Sequence, residues 1–356
     1  MKMMESYPMN GGDGTYSYTK NSSFQRQCIR KAKSMIDEII NQNLEITASN
    51  STFKIGDLGC SVGPNALICV ENIIEAVKVK YHESTPEFQV FFNDHTFNDF
   101  NTLFRSLPPE KQYFAAGVVG SFHQRLFPEN SIDLIHSSNA LHWLSHVPKE
   151  LLDTNSPCWN KGRIYYPSAP QAVTRAYSAQ FAKDMDIFFK VRSKEVVEGG
   201  IMVLIFPTAG LSHSSVLCTM MLDALGPCLM DMAKAHGQGS VSESLVDSFN
   251  LPLYIPTKKE MLEVVGRNGS FKIEKIELFD AKSDDVDVDN DMKTIRNEWV
   301  MCFRASLEGV LTTQFGNEIM DELFDRFSKK IEQLQVRPIG EMQMLFLALK
   351  RNSSHL

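Results

Sequence analysis

"GDLGCSVGPN", residues 56–65, is the stretch on which the fold turns. The apolar Phe53 and Ile55 lead into it, and a helix-like run over residues 65–81 follows. Gly59 and Gly63 therefore sit in a tight passage from strand to helix, where backbone N–H groups face any ligand lying above the turn. The pattern is not GxGxxG. It is D-x-G-x-x-x-G, with Asp57 at the end of the strand. A carboxylate there opposes a pyrophosphate and suits a ligand carrying an amine, such as an amino-acid moiety.

Working outward, Ala66, Leu67, Val70, Ile73, Ile74 and Val77 recur at helical spacing and make one apolar face. "FQVFFND" (88–94) is a continuous apolar run ending in polar residues, as in a buried parallel strand. "YFAAGVVGSF" (113–122), "IDLIHSSNAL" (132–141) and "GIMVLIFPTA" (200–209) repeat that signature. "FKIEKIELFD" (271–280) alternates more and predicts a strand nearer an edge; "MQMLFLALKR" (342–351) closes the set. The alternation predicts an α/β fold, a doubly wound parallel sheet with helices on both faces. Residues 211–265 and 292–335 are helix-patterned additions, expected to form an α-helical cap over an acceptor pocket. Residues 1–210 and 266–356 would then be the core, with 1–50 a segment that reaches the substrate. The acidic run at 280–291 is expected to be a solvated loop.

A chain of 356 residues with net charge -7 has no basic footprint, so no nucleic-acid partner is expected. The seven cysteines show no CxxC spacing, which predicts free thiols in a reducing compartment. No signal-like or membrane-length apolar run is present, so the cytoplasm is the expected location and no membrane partner is expected. Ser354-His355-Leu356 faintly echoes a peroxisomal address.

Asp94 ends the next strand, where an acid accepts hydrogen bonds from ribose hydroxyls. Together with Asp57 and the glycine turn it suits S-adenosylmethionine better than NAD. "SSNALHWLSHVP" (137–148) then delivers Ser138, His142 and Trp143 at a strand's C-terminal end, where open α/β sheets bind ligands.

Seven collinear stretches carry a resemblance: "MNGGDGTYSYTKNSSFQ", "IGDLGCSVGPN", "VFFNDHTFNDFNTLFRSLP", "GSFHQRLFP", "ALHWLSHVP", "NKGRIYY" and "DSFNLPLYIP". The chain resembles the plant SABATH family of S-adenosylmethionine-dependent methyltransferases over nearly its whole length. The resemblance implies a Rossmann-like methyltransferase sheet with a helical cap, often a homodimer, that methylates a small carboxylic acid and releases S-adenosylhomocysteine. It implies cofactor contacts at Tyr18, Ser22, Asp57, Cys60, Asn65, Asp94, His95, Ser121, Phe122 and Ser138. Gln25 and Trp143 would position the acceptor carboxylate, and His142 and Asn139 would line its pocket. A magnesium site is implied at Asn160, Asp247, Phe249 and Asn250, with structural turns as the alternative.

Departures from the family pattern bear on the acceptor. Val119-Gly120-Ser121-Phe122-His123 stands where many members read P-G-S-F-Y. Asn139 stands where several carboxyl methyltransferases of the family carry Tyr, and His142 where salicylate-type members tend to have Met, which shifts expectation from a flat aromatic acid to a bulkier or hydroxylated one, terpenoid or jasmonate-like. The rivals are a xanthine-type N-methyltransferase, a catalytically silent cofactor-binding dimer partner, and a nicotinamide oxidoreductase, the last disfavoured by the missing GxGxxG.

Overall fold

A computed structural model of the chain describes residues 7–45, 52–210, 213–235, 241–282, 292–333 and 341–353. The echo at 354–356 and most of the acidic run, 283–291, lie outside the described residues. Helices α1 (Tyr18–Asn21) and α2 (Ser23–Asn43) precede β1 (Thr52–Leu58), α3 (Pro64–Tyr81), β2 (Glu87–Asp94), α4 (Phe100–Arg105), β3 (Phe114–Val119) and β4 (Ile132–Ser138). The chain continues with α5 (Gln171–Glu195), β5 (Val196–Pro207), α6 (His213–Ala235), α7 (Glu243–Asp247), α8 (Lys258–Asn268) and β6 (Phe271–Lys282). It ends with α9 (Met292–Phe315), α10 (Met320–Gln333) and β7 (Glu341–Arg351).

The strands form one seven-stranded sheet in the order β3-β2-β1-β4-β5-β7-β6. The order reverses between β1 and β4, so right-handed crossovers place α3 and α5 on opposite faces and leave a crevice above the C-terminal ends of those two strands. α2 and α3 pack together on one side, α5 and α8 on the other. β1 and β4 are buried nearly throughout, which is why they read as continuous apolar runs.

Two expectations need correction. The sheet is mixed: β7 runs antiparallel to both β5 and β6. The reason is topological. β6 delivers the chain to the crevice end at Lys282, α9 and α10 are built there, and the chain re-enters at Glu341, paired with Lys282. With no helix carrying it back across the sheet, the last strand must descend. β3, expected to be buried, is an edge strand with Phe114 60% and Val119 56% exposed. β6 does lie at the other edge, as its alternation indicated.

The cap is built from α6, α7, α9 and α10, with α10 packed on α6 and α9. α8 begins inside the stretch 211–265, runs three residues past it, and packs on α5 as a crossover helix. Its ends are chemically well marked: Thr257 and Glu260 form a reciprocal capping box, and Gly269 closes it at φ 69° in the left-handed region. No helix among the described residues is long and apolar enough to cross a membrane.

Candidate active site

The glycine turn is shaped by contacts on both sides. A Cβ on Gly59, whose φ is +74°, would lie 2.4 Å from the Cβ of Ala140 after β4. A Cβ on Gly63, at φ +130°, would lie 3.2 Å from Thr19. The turn therefore brings β1, β4 and the N-terminal segment to one point. Three of its N–H groups are already engaged. Gly59 and Cys60 donate to the carbonyl of Asn93 at 2.9 and 3.0 Å. Ser61 donates to Asp94 Oδ2 at 2.7 Å. The turn thus holds the end of β2 through these three donors.

Above it lies a cavity lined by twelve of the residues singled out from sequence as cofactor or acceptor contacts, among them Asp57, Cys60, Asn65, Asp94, Ser121 and Ser138. His95 and Phe122 also line it. Ser22 does not. It stands behind the wall, where its carbonyl and Oγ accept from Asn65 Nδ2 at 3.1 and 2.9 Å. Asp94 Oδ1 accepts the N–H of His95 at 2.7 Å, so both carboxylate oxygens are fixed. Burial pushes the Asp94 carboxyl above the ordinary Asp range, partly opposed by those two N–H donors. Burial likewise lowers His95 and keeps it neutral.

The described lining of this cavity holds two carboxylates and no lysine or arginine. That set fits a ligand with cationic and hydroxyl groups and does not fit a pyrophosphate. S-adenosylmethionine, with an ammonium, a sulfonium and ribose hydroxyls, meets the requirement.

The Ser121–Phe122 shelf is gripped from below. Arg192 of α5 donates to the carbonyls of Phe122 and Gln124 at 2.9 and 2.6 Å. It is paired at 2.7 Å with Glu195, which accepts the N–H groups of Leu126 and Phe127. Both side chains are fully buried.

A second cavity adjoins the first under the cap. Its described lining includes His142, Phe24, Trp299, Phe303, Ser306 and Leu253, and no described residue there carries a formal charge at neutral pH. Burial pushes His142 down to about 4, so its imidazole is neutral. Met9, Tyr18, Gln25, Asn139 and Trp143 line both cavities and form their common wall. Gln25 Nε2 lies 3.4 Å from Cys302 Sγ on α9, which ties this wall to the cap. Trp143 is held by a bridge to Leu253, and Tyr254 N–H donates to the His142 carbonyl at 2.9 Å. The "ALHWLS" and "LPLYIP" stretches are therefore one interlocked unit.

The proposed magnesium ligands also converge. Asn160 Nδ2 donates to Asn250 Oδ1 at 2.7 Å, and Gly162 N–H to Asp247 Oδ1 at 2.6 Å. Phe249 is buried beside them and packs on Phe315. The donors are oxygen, as Mg²⁺ prefers, and Asn160 Oδ1 is buried without a protein partner. Yet direct hydrogen bonds already close the turn, and no group of three His, Cys, Asp or Glu side chains gathers among the described residues.

Sequence reasoning missed several residues. Tyr7 and Met9 reach the cavities from the N-terminal segment, which no local periodicity could indicate. His136 and Cys69 line the first cavity from within an apolar strand and helix. Arg192 had a legible signal: it sits one turn after Phe188, on the apolar face of α5.

Comparison with known proteins agrees with this geometry. Residues 4–352 match the family described as SAM dependent carboxyl methyltransferase. The chain is 40% identical over 366 residues to loganic acid O-methyltransferase of Catharanthus roseus, covering 99% of this chain and 96% of that one. It is 36% identical over 343 residues to a 3,7-dimethylxanthine N-methyltransferase of Camellia sinensis var. assamica, covering 92% and 91%. Among solved structures, loganic acid methyltransferase with SAH superposes with a TM-score of 0.89 at 40% identity, over 98% of this chain and 99% of that one.

Proposed function

The chain belongs to the SABATH family of S-adenosylmethionine-dependent carboxyl methyltransferases, and from that premise we propose how its two cavities divide the work. The enzyme methylates a plant carboxylic acid and uses S-adenosylmethionine as methyl donor. One observation carries the division: a cavity with two carboxylates and an uncharged cavity meet at a wall made by Met9, Tyr18, Gln25, Asn139 and Trp143. The donor occupies the first, the acid the second, and the methyl group crosses between them.

The cofactor supplies a methyl group on a sulfonium, already bound to a good leaving group. The acid, with an ordinary carboxyl pKa, is ionised near neutral pH, so no protein base is required. Gln25 donates through its amide and Trp143 through its indole N–H, and both are neutral hydrogen-bonders that orient a carboxylate without neutralising it. With no charged residue in the described lining of the acceptor cavity, no cation competes for the nucleophilic oxygen. The ester forms as the carbon–sulfur bond breaks, and the electron pair of that bond goes to sulfur. Alignment of two bound reactants supplies about 7–11 kcal/mol of the acceleration. Apolar groups such as Trp299, Phe303 and Leu253 exclude water from the approaching charges.

The preferred acid is a bulky, oxygenated one. Asn139 occupies the common wall with a small amide, and the neutral imidazole of His142 offers both a donor and an acceptor. The 40% identity to an enzyme named for loganic acid supports this choice. Any Mg²⁺ would be held by Asn160, Asp247 and Asn250 with the Phe249 backbone, where it would brace two loops; no step of transfer runs through it. The homodimer implied by the resemblance is checked by light scattering, and a cytoplasmic location by tagging at the N-terminus.

The deciding experiment is transfer of a radiolabelled methyl group onto a panel of iridoid, jasmonate-like, sesquiterpenoid and flat aromatic acids. A base-labile labelled product from a bulky acid is expected. A base-stable product from a xanthine would replace the carboxyl reading, and binding of S-adenosylhomocysteine without any transfer would point to a silent partner.

A further inference from the structure

Asp57 of β1 and His136 of β4 face each other in register on adjacent parallel strands. Asp57 Oδ1 lies 2.8 Å from His136 Nδ1. An ionised carboxylate only accepts, so Nδ1 carries the hydrogen. On the other side, Cys69 Sγ of α3 lies 2.9 Å from Nε2 and 3.3 Å from Nδ1. Burial, reinforced by the nearby Asp57 charge, pushes the Cys69 thiol up. The sulfur therefore keeps its proton, and at 2.9 and 3.3 Å from the two ring nitrogens it packs against the imidazole and holds the ring in place. All three side chains are at least nine-tenths buried, and all three line the cofactor cavity.

The arrangement has a consequence for geometry: the imidazole is held between the Asp57 carboxylate and the Cys69 sulfur. The hydrogen bond also fixes the plane of a carboxylate that would otherwise rotate in a wide cavity. A buried polar chain of this kind is costly unless fully paired, and an apolar trio would pack the same space.

We propose that His136, backed by Cys69, is a positioning residue that aims the Asp57 carboxylate at the ammonium of the cofactor's methionine end. The inference rests on the reading of Asp57 given above. It adds a residue that touches the cofactor's partner rather than the reacting atoms.

The test compares two ligands that differ only in that end. S-adenosylhomocysteine carries the ammonium; 5′-methylthioadenosine keeps the nucleoside and thioether without the amino acid. In calorimetry, His136→Leu is expected to weaken S-adenosylhomocysteine at least ten-fold and leave methylthioadenosine unchanged. His136→Asn, whose amide can reproduce the Nδ1 donor, is expected to recover most of the loss. Equal weakening of both ligands, or of neither, overturns the proposal. Asp57→Asn separates the two layers: if it leaves the ratio of affinities at the wild-type value, the Asp57 assignment fails; if it collapses the ratio and His136→Leu does not, only the positioning role fails. Should His136→Leu not fold, His136→Asn and His136→Gln decide. The Asn variant is expected to retain the preference and the Gln variant to lose it, and equal behaviour of the two overturns the proposal.

Discussion

Tyr7 lies stacked on Trp143, with ring centroids 5.7 Å apart and planes 25° from parallel, so a residue near the start of the chain braces the indole placed to meet the acceptor. The N-terminal segment is in turn pinned to the cap: Asn10 donates to the Ala305 carbonyl at 2.9 Å, and Arg304 lies 3.5 Å over the Tyr16 ring. The segment that braces the indole is thus itself anchored to α9.

Trp143→Ala is expected to lower kcat by about 100-fold, the scale of a misplaced reactant, while the calorimetric Kd for S-adenosylhomocysteine stays within a factor of two or so. Trp143→Phe, which keeps the ring and loses the N–H, should fall between. Normal ester formation by Trp143→Ala would remove this residue from the mechanism.

Asp94 makes cofactor affinity depend on pH. Burial raises its folded-state pKa above the ordinary Asp range, so the ionised acceptor is lost, as pH falls, at a higher pH than for an exposed Asp. Binding of S-adenosylhomocysteine should weaken at mildly acidic pH, and Asp94→Asn should bind weakly with that dependence abolished. The sign for folding is opposite: a raised carboxyl binds protons more tightly when folded, so it costs stability as pH rises through the same window. A flat affinity profile for the wild type would contradict the assignment.

Arg192→Met removes the fully buried one of the two arginines that meet Glu195, leaving Arg125 Nε at 3.3 Å, and frees the carbonyls of Phe122 and Gln124. A loss of up to about 3–5 kcal/mol in denaturant unfolding is expected, together with weaker cofactor binding through the loosened shelf. Replacing Glu195 by Leu in the same chain should restore part of the stability but not the binding.

Asn139 adopts φ 55°, a left-handed conformation that Asn tolerates and a β-branched residue does not. Asn139→Gly should leave stability nearly unchanged, whereas Asn139→Val should cost about 1–3 kcal/mol. Asn139→Tyr narrows the common wall, so kcat/KM for flat aromatic acids should rise relative to bulky acids by about ten-fold or more. A ratio unmoved by Tyr would detach Asn139 from acceptor choice.

Much of the first cavity was legible in the sequence. Asp57, the two glycines and Asp94 lie at ends of strands whose apolar runs announce them, and an open α/β sheet must place those ends at its crevice. The acceptor side was legible only through resemblance. Its wall gathers Met9, Gln25, Asn139 and Trp143, and its roof gathers Trp299, Cys302 and Phe303, with no period linking them.

Periodicity and turn chemistry act between near neighbours in the chain, so the sequence by itself determined the strands, the crossover helices and the class of methyl donor. Tertiary structure decided the descent of β7, the exposure of β3, the stacking of Tyr7 on Trp143 and the contact of Cys69 with His136. Those relations depend on which distant side chains fill the same space, and packing settles that only when the whole chain is folded.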